Sequence, residues 1–150
     1  TLTIGDDVYK LQQFHFHAPS ENEIDGQTYP LEGHFVYKTD NGKITVISVL
    51  YNYGDENQAL KQIWDKMPQA ANTETELPQT ISLDDFYPED KDYYNFEGSL
   101  TTPPCTEGVN WIVFKNQETV SKEQVEKFTQ TLGFENNRPI QDTNGRKIKE

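Results

Sequence analysis

The sequence predicts a mainly β protein with a few surface helices and a central, twisted, largely antiparallel sheet. Residues 11–17 and 31–38 alternate apolar and polar side chains, and residues 44–51 are rich in β-branched residues. Asp40-Asn41-Gly42 separates the last two segments and is a strong hairpin signal. Helical spacing of apolar residues appears in two other places. We therefore expect a contiguous meander of three strands with a helix lying on the sheet.

The other strand signals lie on either side of this meander. Residues 1–16 hold two extended pieces with Gly5-Asp6-Asp7 between them, and a turn is predicted at Asp25-Gly26. Residues 69–92 are polar and irregular, so we expect a long surface connection there. Two further strand-like segments cover residues 93–96 and 110–115.

Two helices are predicted. The first has Asp55 as its N-cap and stops at Pro68. The second begins with a capping box formed by Ser121 and Gln124, and it closes at Gly133. Their apolar faces comprise Ala59, Leu60, Ile63, Trp64 and Met67 in the first helix, and Val125, Phe128 and Leu132 in the second.

Length and charge restrict the class of protein. The 150 residues fit one domain, and 18 aromatic residues (8 Phe, 8 Tyr and 2 Trp) can supply a core. Thirteen basic and 25 acidic residues give a net charge of −12, which disfavours partners such as nucleic acid or an anionic membrane surface. The longest apolar stretches have the length of strands and are too short to span a bilayer.

The three histidines of the chain form the most informative pattern. His15 and His17 are two residues apart on a predicted strand, so both imidazoles project from the same face. Pairing residues 31–36 beside this strand would bring His34 onto that face as well. Three neutral imidazoles with a fourth coordination position left to water describe a catalytic zinc site. The cofactor that this pattern predicts is Zn²⁺.

Five motifs in sequence order carry a resemblance to a known family. The motifs are Gln13-Phe14-His15-Phe16-His17, Pro19-Ser20-Glu21, Glu32-Gly33-His34, Ser99-Leu100-Thr101-Thr102-Pro103-Pro104 and Asn136-Asn137-Arg138-Pro139. With these motifs the chain resembles the α-class carbonic anhydrases, and the Pro-Ser-Glu and Pro-Pro-Cys variants are similar to those of the bacterial branch. The resemblance implies the sheet architecture of that family and reversible hydration of CO₂ to bicarbonate and a proton by zinc-bound hydroxide.

The resemblance also implies a role for each site residue. His15, His17 and His34 would bind zinc, and the groups that orient them would be Gln13 for His15, the backbone carbonyl of Asn136 for His17, and Glu32 for His34. The Thr101 hydroxyl would accept a hydrogen bond from the zinc-bound hydroxide and donate to Glu21. The substrate pocket would comprise Val36, Val46, Leu100, Thr102 and Trp111.

The chain departs from the family pattern in two respects. Asn22 stands where the family usually has histidine, and we expect weaker hydrogen bonding around Glu32 and a modest loss of metal affinity. The family's opening segment, with its proton-relay histidine, has no counterpart in residues 1–14. We therefore expect residues 1–150 to be one N-terminally incomplete domain that turns over slowly alone. Either a separate N-terminal fragment completes the domain or the relay is lost. A homodimer is a further possible partner arrangement.

Cys105 is the only cysteine. In bacterial members of the family the equivalent cysteine forms a disulfide with the opening segment. The resemblance therefore implies a disulfide to an absent partner and a periplasmic or secreted protein.

The sequence leaves two alternatives to this enzyme open. His15-x-His17-x-x-x-Glu21 also resembles the first motif of cupins, which would make the protein an iron or manganese enzyme with His34 as a fourth ligand. A catalytically inactive, carbonic-anhydrase-related binding protein would keep the fold. Such proteins lack a zinc histidine, and this chain has all three.

Overall fold

The computed structural model describes residues 1–70, 72–77 and 81–150. Seven strands and two α-helices are found among them, with a short 3₁₀ helix at Leu83–Phe86. The strands are β1 (Leu2–Ile4), β2 (Asp7–His17), β3 (Leu31–Lys38), β4 (Ile44–Tyr53), β5 (Tyr93–Ser99), β6 (Glu107–Phe114) and β7 (Glu118–Val120). The helices are α1 (Gln58–Trp64) and α2 (Lys122–Leu132).

The strands form a single mixed sheet in the order β1-β2-β3-β4-β6-β5, and β7 pairs with β4 beside β6. All neighbours are antiparallel except β4 with β6 and β4 with β7, which are parallel. The predicted fold class and the predicted meander, which is β2, β3 and β4, are confirmed. No local signal in the sequence predicted that β6 lies between β4 and β5, because that order is set by a long crossover.

The register between β2 and β3 places the histidines. His15 lies directly opposite His34, and His17 lies opposite Glu32. A β-bulge between Leu11 and Gln13 inserts one extra residue into β2. Because side chains alternate with a period of two, the bulge determines which residues of β2 share a face with His34.

The opposite face of the sheet carries the main core. Phe14 and Phe16 alternate with the histidines along β2 and point to this core. The ring of Phe14 stacks on Phe35 at 5.7 Å, and Phe16 meets the edge of Trp64 in α1 at 5.0 Å. Gly33 leaves room for this packing, because a Cβ there would lie 3.0 Å from Cε1 of Phe16.

The helices confirm most of the sequence prediction. α2 begins with the Ser121 and Gln124 capping box and ends at Gly133 in the left-handed conformation. The prediction that Asp55 caps α1 is wrong, because the N-cap is Asn57, whose Oδ1 accepts from the amide of Leu60 at 3.0 Å. Asn57 wins because Gln124 of α2 also binds its backbone amide and carbonyl, and its side-chain Nδ2 donates to the carbonyl of Thr119 at 3.0 Å.

The remaining predictions concern turns and connections. The turn at Asp25-Gly26 is confirmed, since both residues have positive φ and Ile24 bridges to Gln27. The connection over residues 69–92 contains the 3₁₀ helix, which buries Phe86. Residues 71 and 78–80 of that connection lie outside the described residues. Within the described ranges, no helix has the length and apolar character needed to cross a membrane.

Gln124 joins the two helices. Its Oε1 accepts from the backbone amide of Asn57 at 2.9 Å, and its Nε2 donates to the backbone carbonyl of Asn57 at 2.9 Å. The Gln124 backbone carbonyl also accepts from Nε1 of Trp64 at 2.8 Å. The Gln124 side chain therefore pairs the buried amide of Asn57 and adds a second donor to the Asn57 carbonyl, which also accepts from the amide of Lys61 at 2.9 Å.

We expect Gln124→Ala to lower the free energy of unfolding by about 1–3 kcal/mol, because the buried amide of Asn57 loses its partner and the Asn57 carbonyl loses one of its two donors. Urea denaturation of the metal-free chain measures this change. Gln130→Ala is the matched control on the same helix, where the side chain is exposed and the expected change is within about 0.5 kcal/mol. Equal effects of the two substitutions would contradict the role of Gln124.

Candidate metal centre and its surroundings

The three histidines converge on the face of β2 and β3 that lies opposite the main core. Their ring centroids are 4.9 Å apart for His15 and His17, 5.3 Å for His15 and His34, and 4.7 Å for His17 and His34. One nitrogen from each ring lies within 4.8 Å of the corresponding nitrogens of the others. Adjacent antiparallel strands produce this arrangement, because cross-strand partners and residues two apart share a face.

Hydrogen bonds determine which nitrogen His15 and His17 present to one another. Nδ1 of His15 lies 2.7 Å from Oε1 of Gln13, and Nδ1 of His17 lies 2.9 Å from the backbone carbonyl oxygen of Asn136. Both acceptors require a proton on Nδ1, so the lone pair of each neutral ring is on Nε2. Both Nε2 atoms are thus open to a metal ion.

His34 is oriented the other way round. Its Nε2 lies 3.0 Å from Oε1 of Glu32, in a direction that falls short of a regular hydrogen bond. A carboxylate only accepts, so the proton of the neutral ring belongs on Nε2 and the lone pair on Nδ1. The structure therefore presents Nε2, Nε2 and Nδ1 from His15, His17 and His34, respectively.

Glu32 is completely buried and is held by four hydrogen bonds. Its Oε2 accepts from the amides of Glu21 and Asn22 at 2.6 and 2.9 Å, and its Oε1 accepts from Nδ2 of Asn22 at 2.6 Å and from Oγ of Ser48 at 2.5 Å. The expectation that Asn22 weakens the hydrogen bonding around Glu32 is wrong. An amide side chain has N–H donors, and Asn22 uses one of them together with its backbone amide.

Glu21 is also buried beside the triad. Its Oε2 accepts from the backbone amide of Arg138 at 2.5 Å, whereas Oε1 has no hydrogen-bond partner among the described residues and lies 3.2 Å from Nε2 of His17. The predicted hydrogen bond from Thr101 to Glu21 is not present among the hydrogen bonds of the described residues. Thr101 and Glu21 do line the same cavity, of about 580 Å³.

Burial and neighbouring charges control protonation. Burial, with His34 and His17 nearby, lowers the pKa of His15 from 6.5 to about 4. Burial likewise lowers the pKa of His17, and the neighbouring His34 adds to this effect. Burial raises the pKa of Glu32, but His34, Ser48 and Asn22 outweigh it and bring the value to about 2. At pH 7 the site thus offers neutral rings at His15 and His17 beside the charged Glu32 carboxylate.

An apolar cluster borders the triad. The edge of the Trp111 ring meets His34 with the ring centroids 4.9 Å apart. The cross-strand pairs Val36 with Val46, and Val46 with Trp111, extend the cluster along the same face. Four of the predicted pocket residues, Val36, Val46, Leu100 and Trp111, belong to this one cluster.

Thr102, the fifth predicted pocket residue, lies apart from that cluster. It is exposed and lines a groove of about 760 Å³ together with His15, His17 and Asn136. The remaining wall of this groove is largely apolar and comes from α1, α2 and the segments that follow them.

Cys105 is a half-buried free thiol. Since the chain has no second cysteine, no disulfide can form within it. The predicted disulfide is therefore not found in this chain, because its sequence contains no thiol that could act as partner.

The donor set fits a divalent metal ion of the zinc type. His17 Nε2 is buried with no hydrogen-bond partner, which is costly unless something else occupies its lone pair. Three neutral imidazole nitrogens with room for a further ligand suit zinc. The histidine group that could hold a metal does not include Glu21, which a cupin-like ligand set would require.

Several contacts were not predicted from the sequence. Ser48 supplies a hydrogen bond to Glu32, and the only signal for it was a small polar residue within the apolar run of β4. The side chain of Asn136 ties down the end of β2, because Oδ1 accepts from the Ala18 amide and Nδ2 donates to the Phe16 carbonyl, both at 2.9 Å. The backbone amide of Arg138 holds Glu21.

Comparison with known proteins places these features in a family. A family model for eukaryotic-type carbonic anhydrase matches residues 2–150. A carbonic anhydrase of Neisseria gonorrhoeae is 47% identical over 150 residues, which cover 100% of this chain and 59% of the relative. A carbonic anhydrase of Pectobacterium carotovorum is 45% identical over 148 residues, covering 99% of this chain and 61% of the relative. The chain thus spans about three fifths of the length of these curated relatives.

A solved structure gives the same result. The α-carbonic anhydrase of Thermovibrio ammonificans, in complex with the inhibitor sulfanilamide, superposes with a TM-score of 0.94 at 48% identity. The superposition covers 97% of this chain and 64% of the other. Sequence and structure agree over nearly the whole chain, so the chain belongs to the eukaryotic-type, or α-class, carbonic anhydrase family.

Proposed function

We propose that the protein catalyses the zinc-dependent, reversible hydration of CO₂ to bicarbonate and a proton. The observation that carries this proposal is the histidine triad, whose three open nitrogens face one another beside an apolar cluster. Family membership supports the same reaction. It does not favour a cupin-like enzyme, and the presence of all three histidines argues against an inactive binding protein.

His15, His17 and His34 would hold the metal ion through Nε2, Nε2 and Nδ1. When bound, Zn²⁺ acts as a Lewis acid that brings the pKa of a coordinated water close to 7. The protein's own contribution is to keep the imidazoles neutral and correctly oriented. Gln13, the Asn136 carbonyl and Glu32 perform that task from the other side of each ring.

The apolar cluster would receive CO₂. CO₂ is small and has no net dipole, so it competes poorly with water at a polar surface. Val36, Val46 and Trp111 present a dry wall next to His34, and Leu100 adds to it from the loop that follows β5. This wall keeps the position of the substrate free of water.

Thr101 and Glu21 would orient the nucleophile. Oε1 of Glu21 is a buried acceptor without a partner, and Thr101 lines the same cavity. A hydroxyl has a single proton, so a Thr101 hydroxyl that donates to Glu21 turns only its lone pairs toward the site. It can then accept a hydrogen bond from an attacking group that carries its own proton.

The released proton needs a route to solvent. A side chain that titrates near pH 7 relays protons most effectively, and histidine has that property. All three histidines of the chain belong to the triad, so no fourth imidazole of this chain can act as the relay. We therefore propose that proton release limits turnover by the chain alone.

A separate N-terminal fragment that completes the domain stays a prediction, as do a homodimer and a periplasmic or secreted location. Two features of the structure would bind such a fragment. β1 pairs only with Asp7, Val8 and Tyr9 of β2, so on that side the rest of β2 has no strand partner among the described residues. Beside it, Phe134 is 64% exposed in the groove that contains His15 and His17.

His34→Ala should abolish both zinc binding and CO₂ hydration, because the two remaining imidazoles bind zinc too weakly to retain it. Elemental analysis gives the zinc content, and stopped-flow pH-indicator assays give the hydration rate. Chelation of the parent chain should have the same effect and should be reversed by added zinc. Sulfonamide inhibition should disappear along with the metal. Undiminished hydration by the His34→Ala protein would refute the assignment.

Thr101→Ala should leave zinc content unchanged and slow CO₂ hydration by about 100-fold, because the group that orients the nucleophile is gone. Thr101→Ser is the matched control: it keeps the hydroxyl and should retain most of the activity. The result that argues against this role is an Ala variant as fast as the Ser variant.

The hydration rate at fixed pH should rise with the concentration of an imidazole buffer and then saturate. A small buffer molecule can take up the proton that no side chain of this chain relays. The measurement compares the initial rate over a series of buffer concentrations at constant ionic strength. A rate that does not depend on buffer would show that proton release is not limiting.

A further inference from the structure

Glu32 has more donors around it than the orientation of one histidine requires. Oε1 accepts from Nδ2 of Asn22 and from Oγ of Ser48, and it also lies 3.0 Å from Nε2 of His34. Oε2 is already occupied by two backbone amides. A carboxylate has about four lone-pair sites, and the two on Oε2 are taken. The Asn22 and Ser48 side chains and His34 therefore share Oε1.

The position of Ser48 explains how it reaches this oxygen. Ser48 is the cross-strand partner of His34 in β4 and is fully buried, with its hydroxyl 2.5 Å from Oε1 of Glu32. Asn22 approaches the same atom from the loop after β2, at 2.6 Å. The two donors come from different elements, so together they hold Oε1 from two directions.

We infer that Ser48 and Asn22 are a pair of positioning residues, which hold the Glu32 carboxylate so that it keeps the proton of His34 on Nε2 and leaves Nδ1 free for the metal. With both donors in place, Oε1 cannot rotate away from His34. The backbone amides on Oε2 then fix the plane of the carboxylate. This inference rests on the proposed metal site, and it adds two residues that act through Glu32.

The sharing of one oxygen makes the two residues interdependent. Removal of either donor leaves the other in place, so the carboxylate keeps its orientation in most molecules. Removal of both donors leaves Oε1 with only its contact to His34. The carboxylate can then rotate while Oε2 keeps its hydrogen bonds to the two backbone amides. The effect of the double substitution should therefore be larger than the product of the two single effects.

The test measures two properties of Ser48→Ala, Asn22→Ala and the double variant. The first is the rate of zinc release to a chromophoric chelator. We expect an increase of about two- to threefold for each single variant and of about 10- to 100-fold for the double variant. The second is the ¹⁵N spectrum of His34 in the metal-free chain. We expect the parent to show the Nε2–H tautomer and the double variant to show a mixture of the two tautomers.

Thr45→Val is the matched control. Thr45 is another fully buried hydroxyl residue of β4, but its contact is with Asn110 and not with Glu32. It should lower the unfolding midpoint without changing zinc release or the His34 tautomer. A purely structural role for Ser48 would make Ser48→Ala behave in the same way.

Each outcome has a defined meaning. Parent-like zinc release and a parent-like tautomer in the double variant would overturn the inference. If the double variant does not fold, zinc release from the two single variants decides, and parent-like release from both overturns the inference. Failure of the parent to bind zinc would refute the proposed function, whereas the tautomer of the metal-free chain would still test the pair.

Discussion

The site depends on the antiparallel register between β2 and β3. That register sets His15 opposite His34 and His17 opposite Glu32, so all three histidines and the carboxylate beside His34 come from one strand pair. A slip of one residue would turn the histidines toward the core and the phenylalanines toward solvent. The alternation of Phe14 and Phe16 with the histidines therefore stabilises the site, because their burial against Phe35 and Trp64 opposes any slip.

The site depends next on the buried negative charge of Glu32. Glu32 is a completely buried carboxylate, which is unfavourable unless several donors compensate for the lost water. Two backbone amides and the side chains of Asn22 and Ser48 do so. The same hydrogen bonds keep the carboxylate charged next to His34. The loop after β2, which contains Asn22, thus also orients the Glu32 carboxylate beside His34.

The apolar and polar parts of the site come from different regions of the chain. The triad and its supporting groups are mostly contributed by β2 and β3, whereas Trp111 comes from β6 and Leu100 from the loop after β5. The parallel pairing of β4 with β6 brings the two parts together, since it places Trp111 beside Val46 and against His34. The histidine triad and the apolar cluster therefore meet at a parallel strand pair that no hairpin could form.

The sequence by itself determined the strands of the meander, the capping box of α2 and the shared face of the histidines, because side-chain periodicity and capping are local properties. It also identified Gln13, Glu32 and Asn136 through the resemblance to a family. Only the tertiary structure decided that Asn57 and not Asp55 caps α1, that Asn22 supports Glu32, and that Ser48 is a donor to it. Each of these depends on hydrogen bonds or cross-strand neighbours between residues distant in sequence, and the local pattern does not record which partner a polar side chain will meet.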